Sequence, residues 1–152
     1  MPPSAPTLHA YRDDPHVPPF DDRFGVVVFD GECVLCSRSM RLLVRLDRNR
    51  RFRLATAQGP IGQGLYRHCG LSADSFETYL VVIDGRVLTR SDAVIALVRA
   101  LPWPWRALAA IRVVPRPFRD AAYDLLARHR YRLFGRADYC ALVGPEMRER
   151  LI

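Results

Sequence analysis

The chain has 152 residues, 49% of them hydrophobic, which is enough for one domain with a packed core and too few for two domains of ordinary size. Its net charge of +7 comes entirely from arginine, 23 residues with no lysine; the arginines are scattered rather than set among exposed aromatics, so the pattern fits solvated helix faces and no nucleic-acid partner is expected. No basic region followed by an apolar core stands near the N-terminus and no stretch is long and uncharged enough to span a bilayer, so neither a secretory signal nor a membrane span is expected and the cytoplasm is the expected compartment.

Residues 1–23 carry six of the twelve prolines and show no apolar periodicity, which predicts a disordered Pro-rich arm with His9 and His16 solvated. The apolar run Val26, Val27, Val28 and Phe29 predicts a buried strand that stops at the turn signal Asp30-Gly31. From Val34 the apolar positions Leu35, Leu42, Leu43, Val44 and Leu46 recur at helical spacing, with Arg38, Arg41, Arg45 and Arg48 between them. Cys33 is thus expected in the first turn of a helix and Cys36 one turn on, on the same face.

Thiol chemistry proceeds through the thiolate, and the free N–H groups and positive dipole end of a helix favour an anion there. The spacing suits a nucleophile and the partner that attacks its mixed disulfide. The competing reading is a pair of zinc ligands, which needs a second pair or a Cys/His set at knuckle spacing; Cys69, Cys140, His9, His16, His68 and His129 supply neither. In the cytosol, where thiols are kept reduced, the pair reads as catalytic rather than as a structural disulfide. No metal or organic cofactor is expected; the Cys33–Cys36 pair is the redox group, and an external thiol reductant must restore it.

Asn49 to Arg51 forms a predicted turn, and Phe52 to Thr56 alternates as a short strand, which completes a β-α-β unit with parallel pairing. A helix is expected near residues 61–69, weakened by its glycines and ended by Gly70, with Cys69 a half-buried spectator. Glu77 to Ile83 is a predicted strand, and Asp84-Gly85 a hairpin that returns residues 86–89 antiparallel. Ser91 is the expected N-cap of a helix whose buried side holds Ala93, Val94, Ile95, Leu97, Val98 and Leu101.

The order β-α-β-α-β-β-α, with the cysteines between the first strand and first helix, is the thioredoxin arrangement, an α/β fold on a mixed four-stranded sheet. DGECVLC resembles the D-x-x-C-x-x-C signature of the DCC family of predicted thiol-disulfide oxidoreductases. SDAVIALVRALP, the Pro115-Arg116-Pro117 stretch, Tyr123 and the run ARHRYRLFGRADYC are similar to that family's C-terminal half. The resemblance covers roughly residues 24–140 and implies a thioredoxin-like fold with dithiol chemistry. The division expected is an arm over 1–23, a thioredoxin-like domain over 24–101 and a helical extension over 102–152 packed on it. In the extension, a short helix from Trp105 to Ile111 precedes a longer one from Arg116 to Leu133 with Phe118, Ala121, Ala122, Leu125 and Leu126 as its inner stripe. Arg116–Asp120 and Asp124–Arg128 are expected surface pairs, and Trp103 and Trp105 are expected to pack the extension inward.

The expected reaction is thiol-disulfide exchange on a protein or small-molecule disulfide, with Cys33 as nucleophile and Cys36 as resolving thiol. Asp30 has two possible roles, capping the helix through the N–H of Glu32 or Cys33, or accepting the Cys36 proton. Glu32 places a negative charge beside Cys33. Thioredoxins resembling this fold carry a proline before the third strand, facing the cysteines; here Glu77 or Thr78 takes that place. Two other readings stand: a redox-inert thioredoxin-like adaptor, and a haloacid-dehalogenase-like phosphohydrolase with Asp30 as nucleophile, since VVVFDGE resembles that family's first motif. Against the latter, the chain has no lysine and its Asp13-Asp14 and Asp21-Asp22 pairs lie upstream of the motif.

Overall fold

The computed structural model describes residues 8–72, 78–137 and 143–152. Four strands form one sheet in the order β2-β1-β3-β4: β1 (Gly25–Phe29), β2 (Phe52–Thr56), β3 (Leu80–Ile83) and β4 (Arg86–Thr89). β1 pairs parallel with β2 and antiparallel with β3, and β3 pairs antiparallel with β4. β1 is one of the two inner strands, with β3, and its Val26 to Phe29 are wholly buried. Asp84 and Gly85 both take positive φ, 50° and 78°, the geometry a two-residue hairpin requires. With α1 (Val34–Leu46), α2 (Pro60–His68) and α3 (Arg90–Arg99) between and after the strands, the fold is thioredoxin-like α/β. α4 (Arg116–Phe134) and α5 (Pro145–Arg148) follow it.

Alternation along β1 sends Val27 and Phe29 to one core layer, with Met40, Leu43, Leu54, Val81 and Leu97, and Val26 and Val28 to the other, with Leu65, Tyr66 and Leu80. The inner face of α1 is Cys36, Met40 and Leu43, at i, i+4 and i+7; Leu42, expected inside, is 42% exposed. α2 forms despite its glycines because they are where other chain passes closely. A Cβ at Gly62 would stand 2.2 Å from the Thr56 carbonyl oxygen, and one at Gly64 2.3 Å from that of His16.

The chain against Gly64 is the expected arm, and over residues 8–23 the expectation of disorder does not hold; residues 1–7 lie outside the described ones. Tyr11 and Val17 are buried with Val26, Val28, Leu65 and Tyr66, and Phe20 stacks on Tyr11 with ring centroids 5.6 Å apart. Proline-rich composition hides this because two buried apolar side chains and the Tyr11–Asp22 hydrogen bond of 2.7 Å, not periodicity, hold the segment.

Ser91 is not the N-cap of α3. Thr89 occupies that position, and Ser91 Oγ instead donates to Asp120 of α4. α4 itself starts where predicted and ends one residue later, at Phe134, with Gly135 at φ 84° beyond its end, but its inner face is not the expected stripe. Phe118, Leu125 and Leu126 are exposed, and the side turned inward carries Asp120, Tyr123, Ala127, Arg130 and Tyr131. Polar bonds to Ser91, Tyr79 and Asp30 orient the helix, and they outweigh its apolar stripe. Arg116 pairs with Asp120 at 3.5 Å, whereas Asp124 takes Arg90 at 3.4 Å and not Arg128. A 3₁₀ segment, Trp105–Val113, replaces the expected short helix and buries nothing; Trp103, 78% exposed, does not pack inward. Beyond α5 the chain pairs with the outer edge of β2, Leu54 N–H donating to the Arg150 carbonyl at 2.8 Å and Ile152 N–H to the Leu54 carbonyl at 2.9 Å.

Candidate active site

The strand β1 ends at Asp30, and the chain turns through Gly31 and Glu32 into α1. Cys33 is the N-cap residue of α1, one position earlier than the expected first turn, and its extended backbone (φ −83°, ψ 122°) points Sγ back over the helix end. There it accepts a hydrogen bond from the Cys36 N–H at 3.3 Å. A sulfur in the capping position satisfies an otherwise orphaned donor, and that donor in turn favours sulfur as the anion. Cys36, three residues on, holds its thiol toward the same sulfur, and both cysteines are free thiols.

The Cys33 thiol is lowered from 9.0 to about 7, first by the hydrogen bond from the Cys36 side chain, then by the Cys36 N–H and the positive charge of Arg130; burial and the charge of Asp30 act the other way. The Cys36 thiol is pushed strongly up, because it donates to Cys33, is buried, and would face a second negative sulfur. The pair is therefore asymmetric, with Cys33 as the thiolate and Cys36 as the thiol. The Tyr79 hydroxyl hydrogen-bonds Cys36, an influence that favours a Cys36 anion once Cys33 no longer carries the charge.

Asp30 lies directly beneath, 3% exposed. Its Oδ1 accepts from the Glu32 N–H at 3.0 Å and from Gln58 Nε2 at 2.7 Å; its Oδ2 accepts from Arg130 Nη2 at 3.3 Å and from the Tyr131 hydroxyl. The bond to Glu32 N–H is the one expected of a cap, although the helix cap itself is Cys33. Gln58 is brought there by topology: the β1–β2 register pairs Phe29 with Thr56, so the residues after both strands meet at one end of the sheet. Arg130 and Tyr131 arrive from the last turns of α4. Arg130 is 5% exposed, so a cation and a carboxylate are buried as a pair under the dithiol.

Cys33 is also covered from outside. After α4 the chain turns back at Gly135, and Gly135 to Ala137 lies antiparallel to Glu32 to Val34, with a bridge between Cys33 and Arg136. Val34 N–H donates to the Gly135 carbonyl at 3.4 Å and Ala137 N–H to the Glu32 carbonyl at 3.1 Å. Arg136 reaches over the Tyr131 ring, 4.3 Å from its centroid, to pair with Glu32 at 3.4 Å. Glu32's carboxylate thus faces a cation, and the charge that opposes the Cys33 thiolate is that of Asp30. Cys33 is left with no exposed surface, and beside Cys36 a small apolar opening is lined by Leu35, Tyr79, Tyr123, Leu126, Ala127 and Arg130.

The fold thus brings Asp30, Cys33 and Cys36 together as the spacing predicted. Gln58, Tyr79, Arg130 and Tyr131 were not singled out from the sequence. Arg130 and Tyr131 lie inside the ARHRYRLFGRADYC run, the one signal that pointed toward them. Thr78 does not face the cysteines: its hydroxyl accepts from Arg90 N–H at 2.7 Å and donates to the Tyr79 carbonyl at 2.9 Å, and the next residue, Tyr79, makes the contact with Cys36. Glu77 and Cys140 lie outside the described residues. Cys69 is half-buried and pushed up to about 11 by burial, as a spectator thiol would be.

A thioredoxin-like sheet with a dithiol at the N-cap of its first helix defines a class of thiol-disulfide proteins. The DCC1-like thiol-disulfide oxidoreductase family profile matches residues 27–136, and the chain belongs to that family. It is 34% identical over 127 residues to the uncharacterized protein YuxK of Bacillus subtilis, covering 84% of this chain and 93% of that one. It is 31% identical over 123 residues to the chloroplastic DCC family protein At1g52590 of Arabidopsis thaliana, covering 80% of this chain and 72% of the relative. No solved structure matches.

Proposed function

We propose that the protein is a thiol-disulfide oxidoreductase in which Cys33 is the nucleophile and Cys36 the resolving thiol. The observation that carries this is the asymmetry of the pair, Cys33 at the helix N-cap lowered to about 7 and Cys36 pushed up. The Cys33 thiolate attacks one sulfur of a substrate disulfide, forming a mixed disulfide and expelling the other substrate sulfur as a thiolate, which takes a proton from solvent. With Cys33 no longer anionic, Cys36 gives its proton to solvent through the opening beside it, and the Tyr79 hydroxyl and Arg130 support the new anion. Cys36 then attacks Cys33 Sγ, closing the Cys33–Cys36 disulfide and releasing the second substrate thiolate. Two electrons have passed to the substrate, and an external dithiol returns them.

In this scheme Asp30 is a positioning residue. Its oxygens accept from four donors, one of them the Arg130 that it holds near the thiols, which supports positioning over accepting the Cys36 proton. The same enclosure disfavours the phosphohydrolase reading, because the oxygens a nucleophilic aspartate must present are engaged by Gln58, Glu32 N–H, Arg130 and Tyr131. Substrate reaches Cys33 once Gly135–Ala137 moves aside. The test is trapping: Cys36→Ser is expected to accumulate mixed disulfides with a model disulfide substrate and Cys33→Ser to accumulate none. Equal trapping by both would overturn the assigned roles, and trapping by neither would favour a redox-inert adaptor.

A further inference from the structure

From Ala93 to Arg119 the sequence has five arginines, Arg99, Arg106, Arg112, Arg116 and Arg119, and no acidic residue. The same stretch exposes Trp103 (78%), Leu108 (51%), Val113 (80%) and Phe118 (69%). Where it begins, a cavity of about 400 Å³ opens between the ends of α1 and α3 and the start of the 3₁₀ segment, lined by Arg48, Arg51, Arg99 and Arg106. An adjoining recess shares Arg51 and Arg99 and adds Arg86 and Asp84. The acid in the cavity wall, Asp47, is held by buried Arg150 at 2.8 Å. Among the described residues none of Arg48, Arg51, Arg99, Arg106 or Arg112 forms an ion pair. The two helix C-termini that face the cavity offset about half a charge each, which leaves four arginines strongly net positive.

We propose that this face docks on an anionic lipid surface, with phosphate headgroups in the arginine cavity and the exposed Trp103 and Leu108, one residue from Pro102 and two from Arg106 of its wall, at the interfacial layer. Arg116 and Arg119 are already paired with Asp92 and Asp120, so the free charge is that of the cavity, and exposed Trp103 and Leu108 beside it match the bilayer interface, where burial of apolar surface and attraction to anionic headgroups act together. Docking of this face on the same face of a second copy would set arginine against arginine and is disfavoured. The cavity lies at the opposite end of α1 from Cys33, about 20 Å away along a 13-residue helix, so docking leaves the dithiol free. Among the described residues no helix is long and apolar enough to cross a membrane, so the contact is peripheral.

The test is flotation of the full chain with vesicles of phosphatidylglycerol and phosphatidylcholine in equal parts, and with phosphatidylcholine alone, at about 0.1 M salt. Binding is expected to the anionic vesicles only. The Arg48→Gln/Arg99→Gln/Arg106→Gln variant is expected to bind on the order of 100-fold more weakly, at about fivefold per arginine. It should keep wild-type reactivity of Cys33, which shows that the loss is not one of folding. Trp103→Ser, a change at an exposed position, should also weaken binding and keeps the test open should the triple variant fold poorly. No binding to anionic vesicles, equal binding to neutral ones, or wild-type binding by both variants would overturn the proposal. So would displacement by soluble polyglutamate as effective as that by the anionic vesicles, which would assign the face to an acidic protein.

Discussion

The smallest unit of the account is Cys33 and the charges that reach it. Arg130 and Asp30 act on the sulfur with opposite sign, the cation lowering its pKa and the carboxylate raising it. Arg130→Met is therefore expected to move the midpoint of Cys33 alkylation above 7, and Asp30→Asn to move it below. Each change also leaves the other member buried without its partner, at a cost of about 3–5 kcal/mol by urea denaturation. A mere packing role for the pair would give the stability loss without the opposed shifts. The same lowered pKa links the reduced fold to pH. A thiol at about 7 when folded, against 9.0 ordinarily, stabilises the reduced protein as pH rises from 7 to 9, and that contribution disappears as pH falls through 7. Above 9 the gain is offset, because Cys36 ionises in the unfolded chain and not in the folded one.

At the scale of elements, the short strap Gly135–Ala137 lies over Cys33, and the proposed scheme requires it to move aside. Its Arg136 is tied to Glu32 and to the Tyr131 ring, contacts exposed enough to contribute about 0.2–1 kcal/mol each. Arg136→Ala is expected to raise the rate of Cys33 alkylation about two- to fivefold at pH 9, where the thiolate is formed in either protein. An unchanged or slower rate there would show that the strap does not limit access. The elements also show what was legible in the sequence. Strand β1, the Asp84-Gly85 hairpin and the two cysteines at the head of α1 follow from local patterns, because an apolar run, turn chemistry and helix spacing are local. The face of α4 was not legible: its leucines mark a stripe that the Ser91–Asp120, Tyr79–Tyr123 and Asp30–Arg130 contacts turn outward. Those partners lie 29, 44 and 100 residues apart in sequence, beyond the reach of any periodicity. Arg130 and Tyr131 were visible only as part of a family-like run, with no chemistry attached to them.

For the whole molecule, closure at both ends supports the sheet that carries the site. Gly64 is where residues 16–17 cross α2, and Gly64→Ala should cost about 1–3 kcal/mol because a Cβ meets the backbone of His16 and Val17. Arg150 near the other end holds Asp47 at 2.8 Å beneath the turn into β2, both side chains buried. Arg150→Met should cost about 3–5 kcal/mol in urea denaturation while leaving the ionisation of Cys33 unchanged, since it stands at the far end of α1. The central claim is that this fold selects one of its cysteines as the thiolate. It is tested most directly by pulse alkylation of the reduced, folded protein across pH 5–10, with each cysteine read separately by mass spectrometry. Cys33 is expected to label first, with a midpoint near pH 7, while Cys36 stays unlabelled through the range. Preferential labelling of Cys36, or a Cys33 midpoint near the ordinary thiol value, would contradict it.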